Sequence, residues 1–432
     1  MSPAQKKTGR ARSLDVTKVP SVAERTWKTP ELFWPSLSTA TAALDPPLAV
    51  LHLPALRHNV HDMVRRANGK PIRVASKSVR VRSVLDAVLA VPGYAGVLAY
   101  TLPEALWLAQ GDARHKPISD VVVGYPTVDR AALATLVTSP ELAARVTLMV
   151  DSVAHLDIVD AVLPPDQRET VRVCLELDCS WETPVLGHVG VYRSPLHTAT
   201  AVRALAETIL RRPGFTLVGM MGYEAQIAGQ GDRPPGRPAW GATLRWVQKN
   251  SRDELLIRRA EAVAAVRAIA ELEFVNGGGT GSLEYTAADE SVTEVAAGSG
   301  LFGGHLFDTY GAFRPAPAAS FALSVVRRPD SHRATALGGG WIASGPPGPD
   351  RLPQIVWPTG LTMVGREMAG EVQTPLDGGD VLRVGDRIWL RHTKSGELSE
   401  HVNGYYLVDT VGSHLEVTGE TPSYRGEGKA FL

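Results

Sequence analysis

The chain has 432 residues, 44% of them hydrophobic, with 45 Lys plus Arg balanced by 45 Asp plus Glu. That length exceeds one compact core and suits a barrel of roughly 250 residues joined to a second domain. The balanced charge offers no net field to nucleic acid or to an anionic membrane, so neither is an expected partner.

The first residues, MSPAQKKTGRARS, are basic but are not followed by the apolar stretch of a secretory signal, and they read as a disordered tail. No apolar run approaches the length of a membrane span. The segment 1–45 stands outside the barrel count and is expected to pack on the C-terminal domain. From residue 46 to about 315, short β-branched runs alternate with amphipathic stretches. Leu48–Leu53 reads as a first strand and Pro54–Gly69 as a helix with Leu56, Val60 and Met63 on one face. Eight further strand-like runs begin near Pro71, Gly96, Asp120, Val146, Val171, Phe215, Leu272 and Val292. Helical stretches such as Pro103–Gln110, Val128–Leu136, Leu196–Arg211 and Ala242–Ala270 separate them.

Such alternation implies parallel pairing with right-handed crossovers. Eight strands can close into a (β/α)8 TIM barrel, with an open doubly wound sheet as the alternative; no dinucleotide fingerprint follows the first strand. Cys174 and Cys179 are the two cysteines, with no His at zinc spacing, so a disulfide framework is not expected and a reducing, cytoplasmic setting is. Beyond Pro315–Pro317 the pattern changes to Gly/Pro turns and short strands: Ser320–Val326, Val381–Val384, Arg387–Leu390, Tyr405–Val408 and Leu415–Thr418. Residues 316–432 therefore read as a small β-domain.

In a parallel barrel the chemistry sits at the C-terminal ends of the strands. The first counted strand ends in Ala75-Ser76-Lys77-Ser78, and a lysine closing an apolar strand presents an amine nucleophile at the barrel mouth. The seventh ends in Asn276-Gly277-Gly278-Gly279-Thr280-Gly281-Ser282 and the eighth in Ala297-Gly298-Ser299-Gly300. Successive glycines let backbone N–H groups converge on an anion, and the loops after strands seven and eight commonly form the phosphate site of a barrel. No Gly-Lys-Ser/Thr follows, so this is not a nucleotide P-loop.

With these residues the sequence resembles the fold-type III pyridoxal 5′-phosphate (PLP) enzymes of the alanine racemase N-terminal domain type, and among them the D-threonine aldolase and D-serine dehydratase group. The lysine motif is met by Arg73, Lys77, Ser78 and Arg80, the glycine motif by Gly278-Gly279-Thr280-Gly281-Ser282. Gly190-Val191-Tyr192-Arg193-Ser194 and Gly222-Tyr223 match two further segments. The resemblance implies PLP held as a Schiff base on Lys77, with Arg73, Arg193, Tyr223 and residues 278–281 and 298–300 around the cofactor. It implies a lyase that cleaves or dehydrates a D-β-hydroxy amino acid, and a homodimer.

Two departures stand out. Where the group's metal ligands lie, a His followed two residues on by Asp or Cys, this chain has His392 and Lys394, and a lysine repels a metal ion. The basic His after the sixth strand is replaced by Gln226. No metal site is carried over; Lys394 or His392 is expected to bind the substrate hydroxyl or carboxylate directly. Glu371, Glu397, Glu400 and His401 are further polar candidates, and Trp341 either lines the pocket or is core. A racemase is the alternative enzyme, using Lys77 and Tyr405 or Tyr406 as opposed bases, and a PLP carrier without catalysis is the third reading.

Overall fold

The computed structural model describes residues 14–394 and 396–432; the basic tail read as disordered lies outside the described residues. Strand β1 (Leu48–His52) is followed by β2 (Ile72–Ala75), β3 (Tyr94–Ala99), β4 (Val121–Val123), β5 (Val146–Val150) and β6 (Val171–Glu176). A hairpin, β7 (Trp181–Thr183) and β8 (Gly187–Val189), precedes β9 (Phe215–Gly222), β10 (Phe274–Gly277) and β11 (Glu294–Ala297). Strands β2 to β6 and β9 to β11 pair in parallel and close into an eight-stranded barrel. These are the eight runs read from the sequence, so the barrel rather than the open sheet is correct.

The strands are apolar on both faces because helices cover the outside and side chains fill the inside. Val122, Met149, Cys174, Val218, Met221 and Phe274 pack in the interior. Phe274 fits there because residue 219 is glycine: a Cβ at Gly219 would stand 2.4 Å from its ring.

Arg73 corrects one expectation. It shares a strand face with Ala75 and so points into the barrel, but it sits roughly 6–7 Å below the mouth. There Nε is 2.6 Å from Glu294 Oε1 and Nη1 is 2.8 Å from Asp120 Oδ1. It does not line the mouth cavity; it neutralises the buried Glu294 and pairs with the half-exposed Asp120. Arg73→Met leaves Glu294, 6% exposed, without its cation. The expected cost is about 3–5 kcal/mol, read as a lower urea midpoint with an unchanged m-value.

The second body is a nine-stranded, mostly antiparallel sheet. It comprises β12 (Ala319–Arg327), β13 (Arg333–Leu337), β14 (Gln354–Trp357), β15 (Thr362–Met363), β16 (Gln373–Asp377), β17 (Arg387–Arg391), β18 (Gly404–Val411) and β19 (His414–Pro422). Its ninth member is β1, antiparallel to β12 and parallel to β18. Leu48–Leu53 was assigned to the barrel domain, so this too is a correction. All five residues of β1 are buried because it lies mid-sheet with a layer on each side. Ala49 and Leu51 face the main core, while Leu48 and Val50 pack with Phe33, Trp34 and Leu37 of the helix Pro30–Ala40.

Val381–Val384 is not a strand: Gly379–Val381 is a 3-10 turn, and Val381 and Val384 are each 63% exposed. Four short strands, β13 to β16, were not foreseen.

Candidate active site

The barrel mouth holds a cavity of about 880 Å³, part of it open to solvent. Lys77 lies in the 3-10 turn Ser76–Ser78 directly after β2. Its Nζ donates to the Tyr125 hydroxyl at 2.7 Å. Tyr125 follows β4 through Gly124, in the same strand-end position that Tyr223 takes after β9. Arg193, downstream of the β7–β8 hairpin, joins the two: its guanidinium carbon stands 5.3 Å from the Tyr125 ring centre and 4.8 Å from that of Tyr223. Glu176 at the end of β6 lies 3.8 Å behind Arg193.

The pKa values of the two tyrosines are displaced in opposite directions. Burial pushes Tyr223 up to about 12. Burial acts the same way on Tyr125, but Lys77 and Arg193 beside it outweigh burial and lower its pKa. Glu176 is pushed up to about 7, chiefly by burial, with Arg193 opposing.

The wall beside Lys77 is built from the two glycine turns, because β11 is the barrel neighbour of β2 and β10 comes next. Gly278, Gly279, Thr280, Gly298 and Ser299 all line the cavity. A Cβ at Gly298 would come within 2.3 Å of the Ala75 carbonyl oxygen, so glycine lets this turn close onto the strand that carries Lys77. Gly300 and Gly281 stand behind the wall. The Gly300 N–H donates to Thr280 Oγ1 at 3.0 Å and ties one turn to the other. Gly281 packs so tightly that a Cβ would lie 2.2 Å from the Ala228 carbonyl oxygen.

Lys394 reaches the cavity from the β-domain. Its pKa is lowered, first by burial and then by Arg351 and Lys77, while Glu397 opposes. His392 does not reach the cavity. It is 1% exposed and burial holds it at about 4, hence neutral. Of the two residues considered for the substrate, only Lys394 lines the cavity, while His392 packs in the core against Phe302. Gln226 is likewise off the cavity, donating to Cys179 O and Ser251 Oγ, each at 2.7 Å. Glu400 pairs with Arg80, and Trp341 stacks on His401 with centroids 5.2 Å apart. Among the described residues, no three His, Cys, Asp or Glu side chains gather as metal ligands would.

Sequence reasoning missed Tyr125, Glu176 and the aromatic pair Phe307 and Tyr310 on the cavity wall. The signal for Tyr125 was present: Gly-Tyr closes a barrel strand twice, at Gly124-Tyr125 and Gly222-Tyr223.

The model of the alanine racemase N-terminal domain matches residues 51–305. The chain belongs to that family. Members share the barrel expected from the lysine and glycine motifs, that of the fold-type III PLP enzymes. The chain is also similar to the 3-hydroxy-D-aspartate aldolase of Paracoccus denitrificans, 27% identical over 266 residues. That match covers 59% of this chain and 60% of the relative's length. Among solved structures, the D-threonine aldolase of Filomicrobium marinum superposes with a TM-score of 0.69 at 19% identity, over 89% of this chain and 96% of that one. The D-threo-3-hydroxyaspartate dehydratase of Delftia sp. HT23 gives 0.66 at 21%, over 88% and 99%. An alanine racemase of E. faecalis gives 0.55 at 13%, over 83% and 92%. At these identities the structures establish that the racemase-family barrel and its β-domain are shared.

Proposed function

We propose that the chain is a PLP-dependent lyase acting on a D-β-hydroxy amino acid, by retro-aldol cleavage or by dehydration. The observation that carries this reading is the Lys77–Tyr125 contact of 2.7 Å, in a cavity that two glycine turns also line. The curated relative's name adds support, since it is an aldolase of a hydroxylated D-amino acid. The residues present fit PLP. Lys77 would hold its aldehyde carbon, and the turns at 278–280 and 298–299, where side chains are absent or small, would hold its phosphate. Bound there, PLP supplies an electron sink for a bond broken at Cα.

The protein's own groups do the rest. Arg193 presents a cation to the cavity and cannot keep a ring nitrogen protonated as a carboxylate would, so bond breaking depends on well-placed bases. Lys77 Nζ and Tyr125 Oη share a proton and can pass it between Cα and the hydroxyl side. Lys394 holds the substrate hydroxyl or carboxylate from above, in the place a metal ion would otherwise serve.

A racemase would need a second base across the cavity. Tyr405 is 1% exposed and bonded to Ser399 Oγ at 2.7 Å, and Tyr406 lines a surface groove of the sheet with Glu420, so neither is placed for that role within the chain. The homodimer and the cytoplasmic setting belong to this proposal. No helix among the described residues is long and apolar enough to cross a membrane.

Incubation with D-threonine, D-serine and D-alanine tests the reading. The expected products are glycine plus aldehyde, or keto acid plus ammonia, formed equally well after chelation. L-alanine from D-alanine would make it a racemase, and no product from any of the three would favour a carrier. Activity lost to chelator and restored by a divalent ion would overturn the role given to Lys394.

A further inference from the structure

Directly after Tyr223 the chain buries a carboxylate that the proposed chemistry does not use. Glu224 is 0% exposed, and it sits beneath the turn at 278–282. Oε2 accepts the Gly278 N–H at 3.0 Å. Oε1 accepts the Thr286 hydroxyl and, at 3.5 Å, that of Ser282. Arg259 lies alongside, with Nη2 3.2 Å from Glu224 Oε2 and Nη1 3.1 Å from Asp289 Oδ2. Arg259 is 2% exposed and Asp289 1%, so two anions and one cation are sealed together.

One carboxylate is enough to neutralise one buried guanidinium, and a second adds desolvation cost unless other bonds repay it. Here the repaying bonds run to the glycine turn. Gly278 has φ +84°, and a Cβ on it would stand 2.9 Å from Thr286 Oγ1. The turn is therefore pressed against the same hydroxyl that Glu224 holds. Arg259 meanwhile cancels a negative charge that would repel an anion bound above.

We infer that Glu224 is a positioning residue that sets the pose of the 278–282 turn and thereby its grip on a phosphate group. The inference rests on the PLP reading above and names the part of the chain that tunes it. Binding is read by fluorescence titration of the protein with PLP and with pyridoxal, which lacks the phosphate. The ratio of the two affinities isolates the phosphate turn from the rest of the cavity.

Glu224→Gln is expected to lower the PLP-to-pyridoxal ratio by about tenfold, the size of one lost charge-assisted bond. Thr286→Val keeps every charge and removes only the hydroxyl; it is expected to lower the ratio about threefold, and it carries the test if Glu224→Gln does not fold. Asp289→Asn disturbs the same arginine without touching Glu224's bonds to the turn, and should lower the melting temperature while leaving the ratio unchanged. An unchanged or raised ratio in both Glu224→Gln and Thr286→Val, with the wild type still preferring PLP, overturns the role of Glu224 alone. Equal losses in Asp289→Asn would overturn it too, by reducing the network to general stability. A wild type that binds PLP no better than pyridoxal overturns the cofactor reading itself.

Discussion

Lys77→Ala is expected to lower turnover by about four orders of magnitude, at the upper end of what a positioned proton-transfer group contributes. The variant should also yield no borohydride-stable adduct, and the purified protein should stay colourless when supplied with PLP. Two separate losses underlie this. The amine that captures the aldehyde is gone, and so is the donor 2.7 Å from the Tyr125 hydroxyl. Alanine is sterically safe at this position, because the turn Ser76–Ser78 is held by backbone and serine contacts. The Val79 and Arg80 N–H groups bond Ser76 O, and Ser299 Oγ donates to Ser78 Oγ at 3.0 Å. Thermal stability should therefore change little, which separates loss of chemistry from loss of fold. Steady-state assays, mass analysis after borohydride and a melting curve check the three parts. Turnover within tenfold of wild type would move the nucleophile elsewhere.

The barrel was legible because its strands carry a signal that survives without neighbours. Most are short aliphatic runs with little exposed surface, and each is followed by a helix. The two glycine turns were legible for a related reason: only glycine permits the close approaches now measured at Gly298 and Gly281. Lys77 and Lys394 came from position relative to those strands and motifs.

What escaped was set by three-dimensional pairing. β1 reads as a strand leading into the barrel domain, yet its partners are Ala319–Ala322 and Tyr406–Val408, some 270 to 360 residues away along the chain. Arg73 matches the lysine motif, but the period-2 geometry of its strand carries it below the cavity, where Glu294 and Asp120 wait. The short strands β13 to β16 owe their existence to each other's edges rather than to any strong local preference. Glu224 reads as one more acid after a tyrosine; its partners Arg259, Thr286 and Gly278 lie on other elements.

Tyr125 closes the third barrel strand and accepts from Lys77, so it should matter nearly as much as the lysine. Tyr125→Phe removes one hydroxyl and keeps the ring against Arg193, so the cavity shape is retained. Turnover is expected to fall about 100- to 1,000-fold, within the range for a general acid–base group. The pH profile decides the cause. A phenol ordinarily loses its proton near pH 10. Burial would raise that value further, but Lys77 and Arg193 stabilise the phenolate more strongly and bring the pKa down. The phenolate fraction therefore grows as pH rises through this lowered value, and a step that needs Tyr125 as base gains rate along the same limb. In Tyr125→Phe that alkaline rise should vanish while the acid limb stays. A uniform drop at every pH, with the limb intact, would make Tyr125 a prop for the Lys77 side chain rather than its proton partner.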